Sequence, residues 1–90
     1  MSVKREVLIT NRRGLHARAS AKFVTLASTQ PCEVQVEKEA GSGVTGTSIM
    51  GLMMLGAAMG DTITISAAGD GADAAVSALC DLVEAKFGED

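Results

Sequence analysis

Ninety residues form one small domain, 1–90, which excludes the larger catalytic architectures. An apolar fraction of 47 % against 21 % charged is a globular balance, and it argues against disorder, coiled coil and collagen-like repeats. The formal charge of −3 is unevenly spread: residues 1–22 carry six basic side chains against Glu6 alone, a local +5 that leaves −8 on the remainder. A basic end on an acidic chain suggests a local attraction for an anion or an acidic partner, with a plain solvated face as the alternative. Phe23 and Phe87 are the only aromatics, so the stacking platforms of single-stranded nucleic-acid binders are missing and no nucleic-acid partner is expected. Cys32 and Cys80 belong to no C-x-x-C pair or zinc-like cluster, so free thiols and no metal are expected. The apolar run Ile49–Gly60 is too short for a membrane span, which needs roughly 20 residues. Met1–Asn11 is charged and alternates like a strand rather than a leader, which makes a soluble cytoplasmic protein the expectation.

In chain order, Val3, Val7 and Ile9 alternate with Lys4, Glu6, Leu8 and Thr10, which predicts a first strand with Arg5 as the exception on its apolar face. The sequence Asn11-Arg12-Arg13-Gly14 breaks that period. From Ala17 to Ser28 the apolar residues recur at helical spacing, until Gln30-Pro31 ends the helix. Val34 and Val36 between Gln35 and Glu37 predict a second strand, and Gly41-Ser42-Gly43 reads as a turn into a weak third one at Val44-Thr45. Ser48 to Leu55 is a helix with Ser48 or Thr47 as N-cap and Gly56 as its stop. Ile63 and Ile65 alternate with Thr62, Thr64 and Ser66 in the clearest strand, over 61–67. After Gly69-Asp70-Gly71, the residues Ala72, Ala75, Val76, Leu79, Leu82 and Val83 form the apolar stripe of a last helix. The order βαββαβα, with one apolar and one polar face per strand, predicts an α+β domain. Its expected form is a two-layer open-faced β-sandwich: a four-stranded, mainly antiparallel sheet with three helices on one face.

The only histidine, His16, sits where the glycine-containing loop enters the first helix. At a helix N-terminus the first N–H groups lack intrahelical acceptors and the dipole favours a neutral imidazole over imidazolium. A neutral ring offers a lone pair, the same amides can hold a phosphoryl group once it arrives, and Arg18 can add charge-assisted hydrogen bonds. These pieces fit a nucleophilic histidine that takes and yields phosphate. The alternative is a surface histidine that merely ends a loop. Within Ser48–Leu55 the apolar side chains Ile49, Met50, Leu52, Met53, Met54 and Leu55 run almost all the way round, although a helix in a two-layer domain buries one side only. Leu52 and Leu55 are assigned to the core, leaving Ile49, Met50 and Met53 as a docking patch. A wholly buried helix is the alternative.

The segment Asn11-Arg12-Arg13-Gly14-Leu15-His16-Ala17-Arg18-Ala19-Ser20, together with Ser48-Ile49-Met50-Gly51-Leu52-Met53-Met54-Leu55-Gly56, resembles the HPr family of phosphocarrier proteins of the phosphoenolpyruvate-dependent phosphotransferase system. The resemblance covers nearly the whole chain. It implies that His16 accepts a phosphoryl group on a ring nitrogen from enzyme I, with phosphoenolpyruvate as ultimate donor, and passes it to an enzyme IIA-type acceptor. Arg18 matches the assisting arginine. The resemblance also implies that the His16 and Ser48 helices form the surface partners grip, and that Ser48 matches the serine modified by an HPr kinase/phosphorylase. No bound cofactor is implied. A monomer is expected, because the patch must stay free. A regulatory interaction module of the nitrogen-related phosphotransferase branch, read by non-transport partners, is the alternative. Two departures stand out. Ala19 replaces the usual proline, which a first helical turn tolerates and does not require. Arg13 occupies a position where many relatives carry a small polar residue, which leaves the imidazole's second hydrogen bond without an assigned partner.

Overall fold

A computed structural model describes residues 2–38 and 43–89. Four strands and three helices follow the anticipated order: β1 Ser2–Leu8, α1 Ala17–Ala27, β2 Val34–Glu37, β3 Val44–Thr45, α2 Ile49–Met54, β4 Thr62–Ala68 and α3 Ala72–Glu84. The expected turn at Gly41-Ser42-Gly43 lies partly outside the described residues. The sheet order is β1-β4-β2-β3 and every pairing is antiparallel. Val7 faces Ile63 across the first ladder, and Val36 faces Ile65 across the second. Alternation in each strand therefore sends one set of side chains into a common layer.

That layer holds Val7, Val34, Val36, Ile63 and Ile65 from the sheet. Above them lie Phe23 and Ala27 of α1, Leu52 of α2 and Val76, Leu79 and Val83 of α3, all buried. Removing a side chain of this size from water contributes about 1.5–3 kcal/mol. The opposite face of the sheet is wet and carries Lys4, Glu6, Thr62 and an exposed Leu8. Arg5, on the apolar face by parity, avoids burial because β1 is an edge strand. Its guanidinium reaches α3 and donates to Ser77 Oγ at 3.3 Å. Leu52 lies in the core as anticipated, while Leu55 is only half-buried against it and forms the C-cap of α2.

Two local features position the histidine loop and the chain terminus. The loop 11–15 is clamped against the segment after α2: Leu15 N–H donates to Ala57 O at 2.9 Å, and Gly14 adopts φ +61°. A Cβ on Gly14 would collide with Ala57 O and lie 2.8 Å from Ala58 Cα. Beyond α3, a turn over Lys86–Gly88 that sequence periodicity does not announce places Lys86 and Phe87 at φ 57° and 55°, a left-handed conformation uncommon outside glycine. Burial of Phe87, 1 % exposed, and a 2.7 Å hydrogen bond from Lys22 Nζ to Phe87 O hold the chain there.

Gly14→Ala combines an unfavourable left-handed φ with a backbone collision, so it should destabilise the domain by about 2 kcal/mol or more. A fall in the urea midpoint at unchanged slope measures this. A wild-type midpoint would show that the loop can leave Ala57 freely.

Candidate functional site

The site is built at the start of α1. His16 is the N-cap residue, in extended backbone, and its carbonyl accepts the first helical bond from Ser20 N–H at 2.9 Å. The amides of Ala17, Arg18 and Ala19 therefore precede the helical ladder. Arg18 N–H turns back to His16 Nδ1 at 3.3 Å, a side-chain cap in which imidazole replaces the more usual hydroxyl or carboxylate. The loop that delivers the histidine is closed by Asn11, whose Nδ2 donates to Gly14 O at 2.9 Å while Gly14 N–H donates to Asn11 O.

The imidazole's other nitrogen meets the end of the chain. His16 Nε2 lies 2.6 Å from Glu89 Oε2, with side chains 16 % and 19 % exposed. Glu89 Oε1 accepts from Asn11 Nδ2 at 3.0 Å, so one amide ties the loop and the Glu89 carboxylate together. A neutral imidazole whose Nδ1 accepts from an amide carries its proton on Nε2, and Nε2–H donates to Glu89 Oε2. The hydrogen bond from Asn11 holds the Glu89 carboxyl below the usual carboxylate range, opposed by partial desolvation and aided by His16 and Lys22. Asn11 Oδ1 is buried without a partner among the described residues.

Around this pair opens a cleft of about 390 Å³ lined by Arg12, Arg13, Arg18, Lys22, Gly88 and Glu89. Lys22 is engaged at Phe87 O, whereas the guanidinium groups of Arg12, Arg13 and Arg18 have no hydrogen bond or ion pair among the described residues. The start of α1 thus gathers an Nδ1 that accepts one long hydrogen bond, the amides that precede the helical ladder and, among the described residues, guanidinium groups without a partner. That combination suits an anionic electrophile that bonds to Nδ1 and rests its oxygens on N–H donors.

Arg18 meets His16 through its backbone N–H, while its side chain lines the cleft. Arg13 lines the cleft without touching the imidazole, and Glu89 supplies the hydrogen bond that the sequence left unassigned. Three further participants are not apparent from the sequence: Asn11, Lys22 and Glu89. An asparagine three residues before a glycine is a turn signal, but no local pattern brings residue 89 to residue 16. On α2, Ser48 Oγ accepts from Gly51 N–H at 3.0 Å and is the N-cap. Ile49, Met50 and Met53 are exposed at 40 %, 69 % and 42 %, and so, beyond the three anticipated, are Met54 and Met59. α2 packs against α1, so this apolar surface belongs to the same helical layer as the histidine cap.

A carboxyl held below its ordinary range in the folded state adds stability that is present above the unfolded value and lost as pH falls through the folded one. The Glu89 Cδ resonance should therefore titrate at lower pH than that of a solvated glutamate. A normal glutamate midpoint would contradict the clamp.

A family model described as "PTS HPr component phosphorylation site" matches residues 3–85. Phosphocarrier protein HPr of Pseudomonas aeruginosa is 44 % identical over 84 residues, covering 93 % of this chain and 93 % of its own. Phosphocarrier protein NPr of Shewanella violacea is 48 % identical over 90 residues, covering 97 % and 94 %. The crystal structure of HPr-C-His from Thermoanaerobacter tengcongensis superimposes with a TM-score of 0.90 at 42 % identity, over 98 % of each chain. With the family match spanning nearly all of its length, this chain belongs to the HPr family, the phosphocarrier proteins of the phosphotransferase system.

Proposed function

We propose that His16 Nδ1 is the atom that carries the phosphoryl group, received from phosphorylated enzyme I and surrendered to an enzyme IIA-type acceptor, in the cytoplasm and as a monomer. The observation that carries this reading is the pairing of an Nδ1 lone pair with pre-ladder amides beside guanidinium groups that are unpaired among the described residues. In the forward step the Nδ1 lone pair attacks phosphorus, the donor's bond to phosphorus breaks, and the electron pair of that bond leaves with the donor. Arg18 and the amides at 17 and 18 receive the oxygens, whose charge they offset. Onward transfer reverses the roles at Nδ1. Ile49, Met50 and Met53 provide an apolar contact surface for both partners. Thioether side chains suit this, because they repack against surfaces of different shape.

Ser48 is the regulatory position on this reading, modified by an HPr kinase/phosphorylase. Its Oγ already serves the Gly51 amide, so a phosphate there would sit at the start of α2, where the dipole tolerates it. It would place about −1.5 to −2 of charge beside Ile49 and Met50, which is costly to desolvate under an apolar partner. The 48 % identity to an NPr protein favours a second reading, in which the phosphorylation state is a signal in the nitrogen-related branch and non-transport partners bind without removing the phosphate.

Incubation with enzyme I and phosphoenolpyruvate should give an acid-labile adduct of one phosphoryl group, absent from His16→Ala. A label that persists in that variant would refute the assignment. Ser48→Asp should accept phosphate at least about tenfold more slowly, because about 1.4 kcal/mol lost at the docking surface is a factor of ten. Ser48→Ala, which forfeits the cap and roughly 1 kcal/mol of stability but adds no charge, should react at close to the wild-type rate. Equal rates for the two variants would remove charge as the regulatory agent.

A further inference from the structure

The short contact between His16 Nε2 and Glu89 Oε2 is more than a means of closing the loop. We propose that Glu89 is a positioning residue for phosphoryl transfer: it keeps the proton on His16 Nε2 throughout the cycle, so that the imidazole always departs as a neutral leaving group. This inference rests on the reading of His16 Nδ1 as the phosphoryl carrier.

The chemistry sets the requirement. When Nδ1 attacks, the ring already carries a proton on Nε2, and bond formation leaves it cationic beneath an anionic phosphoryl group. If that proton were lost to water, the resting carrier would be a neutral N-phosphorylimidazole. Transfer from that species breaks the Nδ1–P bond and returns the electron pair to a ring with no proton on either nitrogen, an imidazolate, which is a poor leaving group. If the proton stays, the same bond cleavage yields neutral imidazole with its lone pair on Nδ1 and its proton still on Nε2. The starting tautomer is thereby regenerated without any proton having moved. A carboxylate 2.6 Å from Nε2 favours the second course, because its negative charge stabilises the cationic ring in which the proton is retained.

The fold goes to some length to put the carboxylate there. Glu89 stands one residue beyond a left-handed turn that places two non-glycine residues at positive φ, and the turn is held by buried Phe87 and by Lys22. Asn11 Nδ2 then fixes the second carboxylate oxygen, so Oε2 is left to face the ring. Among the described residues, the charged groups that line the cleft beside Glu89 are Arg12, Arg13, Arg18 and Lys22, all cationic. They attract the phosphoryl group but cannot accept the ring proton, so Glu89 is the one acceptor among the described side chains that line the cleft.

Glu89→Gln preserves shape and removes charge. The phosphorylated variant, prepared with enzyme I and phosphoenolpyruvate, is followed as it gives its phosphoryl group to an enzyme IIA-type acceptor across pH 6–9. The expected result is a transfer rate reduced on the order of tenfold at the alkaline end, corresponding to about one unit of lost proton affinity. The rate should recover to that of wild type as the pH falls and solvent protonates the ring. A merely structural role would slow transfer equally at every pH or lower the thermal midpoint, and either result overturns the proposal, as does a wild-type rate throughout. A second readout needs no transfer. The Nε2–H proton of His16 should resonate far downfield in the wild type and move upfield in Glu89→Gln, and an unmoved resonance refutes the contact. If the wild-type chain itself takes no label on His16, the underlying carrier reading fails instead, so the two failures are distinguishable.

Discussion

Much of this molecule follows from one constraint: a helix must begin somewhere, and its first amides have no acceptors of their own. Most helices meet that need with a hydroxyl or carboxylate side chain. Here the cap is an imidazole, and Arg18 N–H occupies His16 Nδ1 at 3.3 Å, a long and therefore weak hydrogen bond. A weak cap is compatible with exchange. An incoming anion can displace it at small cost and then inherit the amide that formed it. A tight carboxylate cap would satisfy the helix better but would leave neither a nucleophile nor a positively polarised amide for a visiting group.

Once the histidine is a cap, its geometry depends on distant parts of the chain. Gly14 must take a left-handed φ for the loop to approach Ala57, which locks the loop to the segment after α2. Phe87 must be buried for the terminal turn to hold, and burial of that ring is the largest single apolar contribution from residues after α3. The loop and Glu89 meet at Asn11, which bridges Gly14 O and Glu89 Oε1, while the segment beyond α2 joins the loop at Leu15. Residues 11, 16, 57 and 89 are thus linked through backbone and side-chain hydrogen bonds that the two-layer core supports from below.

The parts of this arrangement that were legible in the sequence are those governed by periodicity. Alternation in β1, β2 and β4 and the apolar stripe of α3 are set by which face meets the core, and each of these elements formed within two residues of where its pattern placed it, β1 stopping at Leu8 rather than Thr10. The excess of apolar side chains around α2 was legible for a related reason: one helix cannot bury its full circumference, so Met50 and Met53 had to be exposed. Leu55 ended half-buried because α2 closes there and the chain turns away at Gly56, which is at φ 66°. The terminal turn was illegible, since Lys86 and Phe87 carry no mark of a left-handed backbone that tertiary packing imposes on them. Glu89 was illegible for the same reason. Its partner lies 73 positions away, and only the folded sheet and helices bring the two together.

The electrostatics of the cleft also bear on how strongly a carrier ought to hold its cargo. A phosphoryl group bound as tightly on the protein as in the transfer transition state would gain nothing in rate, because only interactions stronger in the transition state accelerate the step. Arg12, Arg13 and Arg18 are exposed and, among the described residues, unpaired, so water screens their attraction and each must give up side-chain freedom to engage an anion. Their hold on a resting phosphoryl group is accordingly modest. When a partner covers the cleft and expels water, the same guanidinium groups act in a lower dielectric and their pull strengthens as charge redistributes during transfer. On the function proposed above, most of the stabilisation would therefore arise in the docked state, with the apolar surface of α2 against the partner and the Glu89 contact holding the ring.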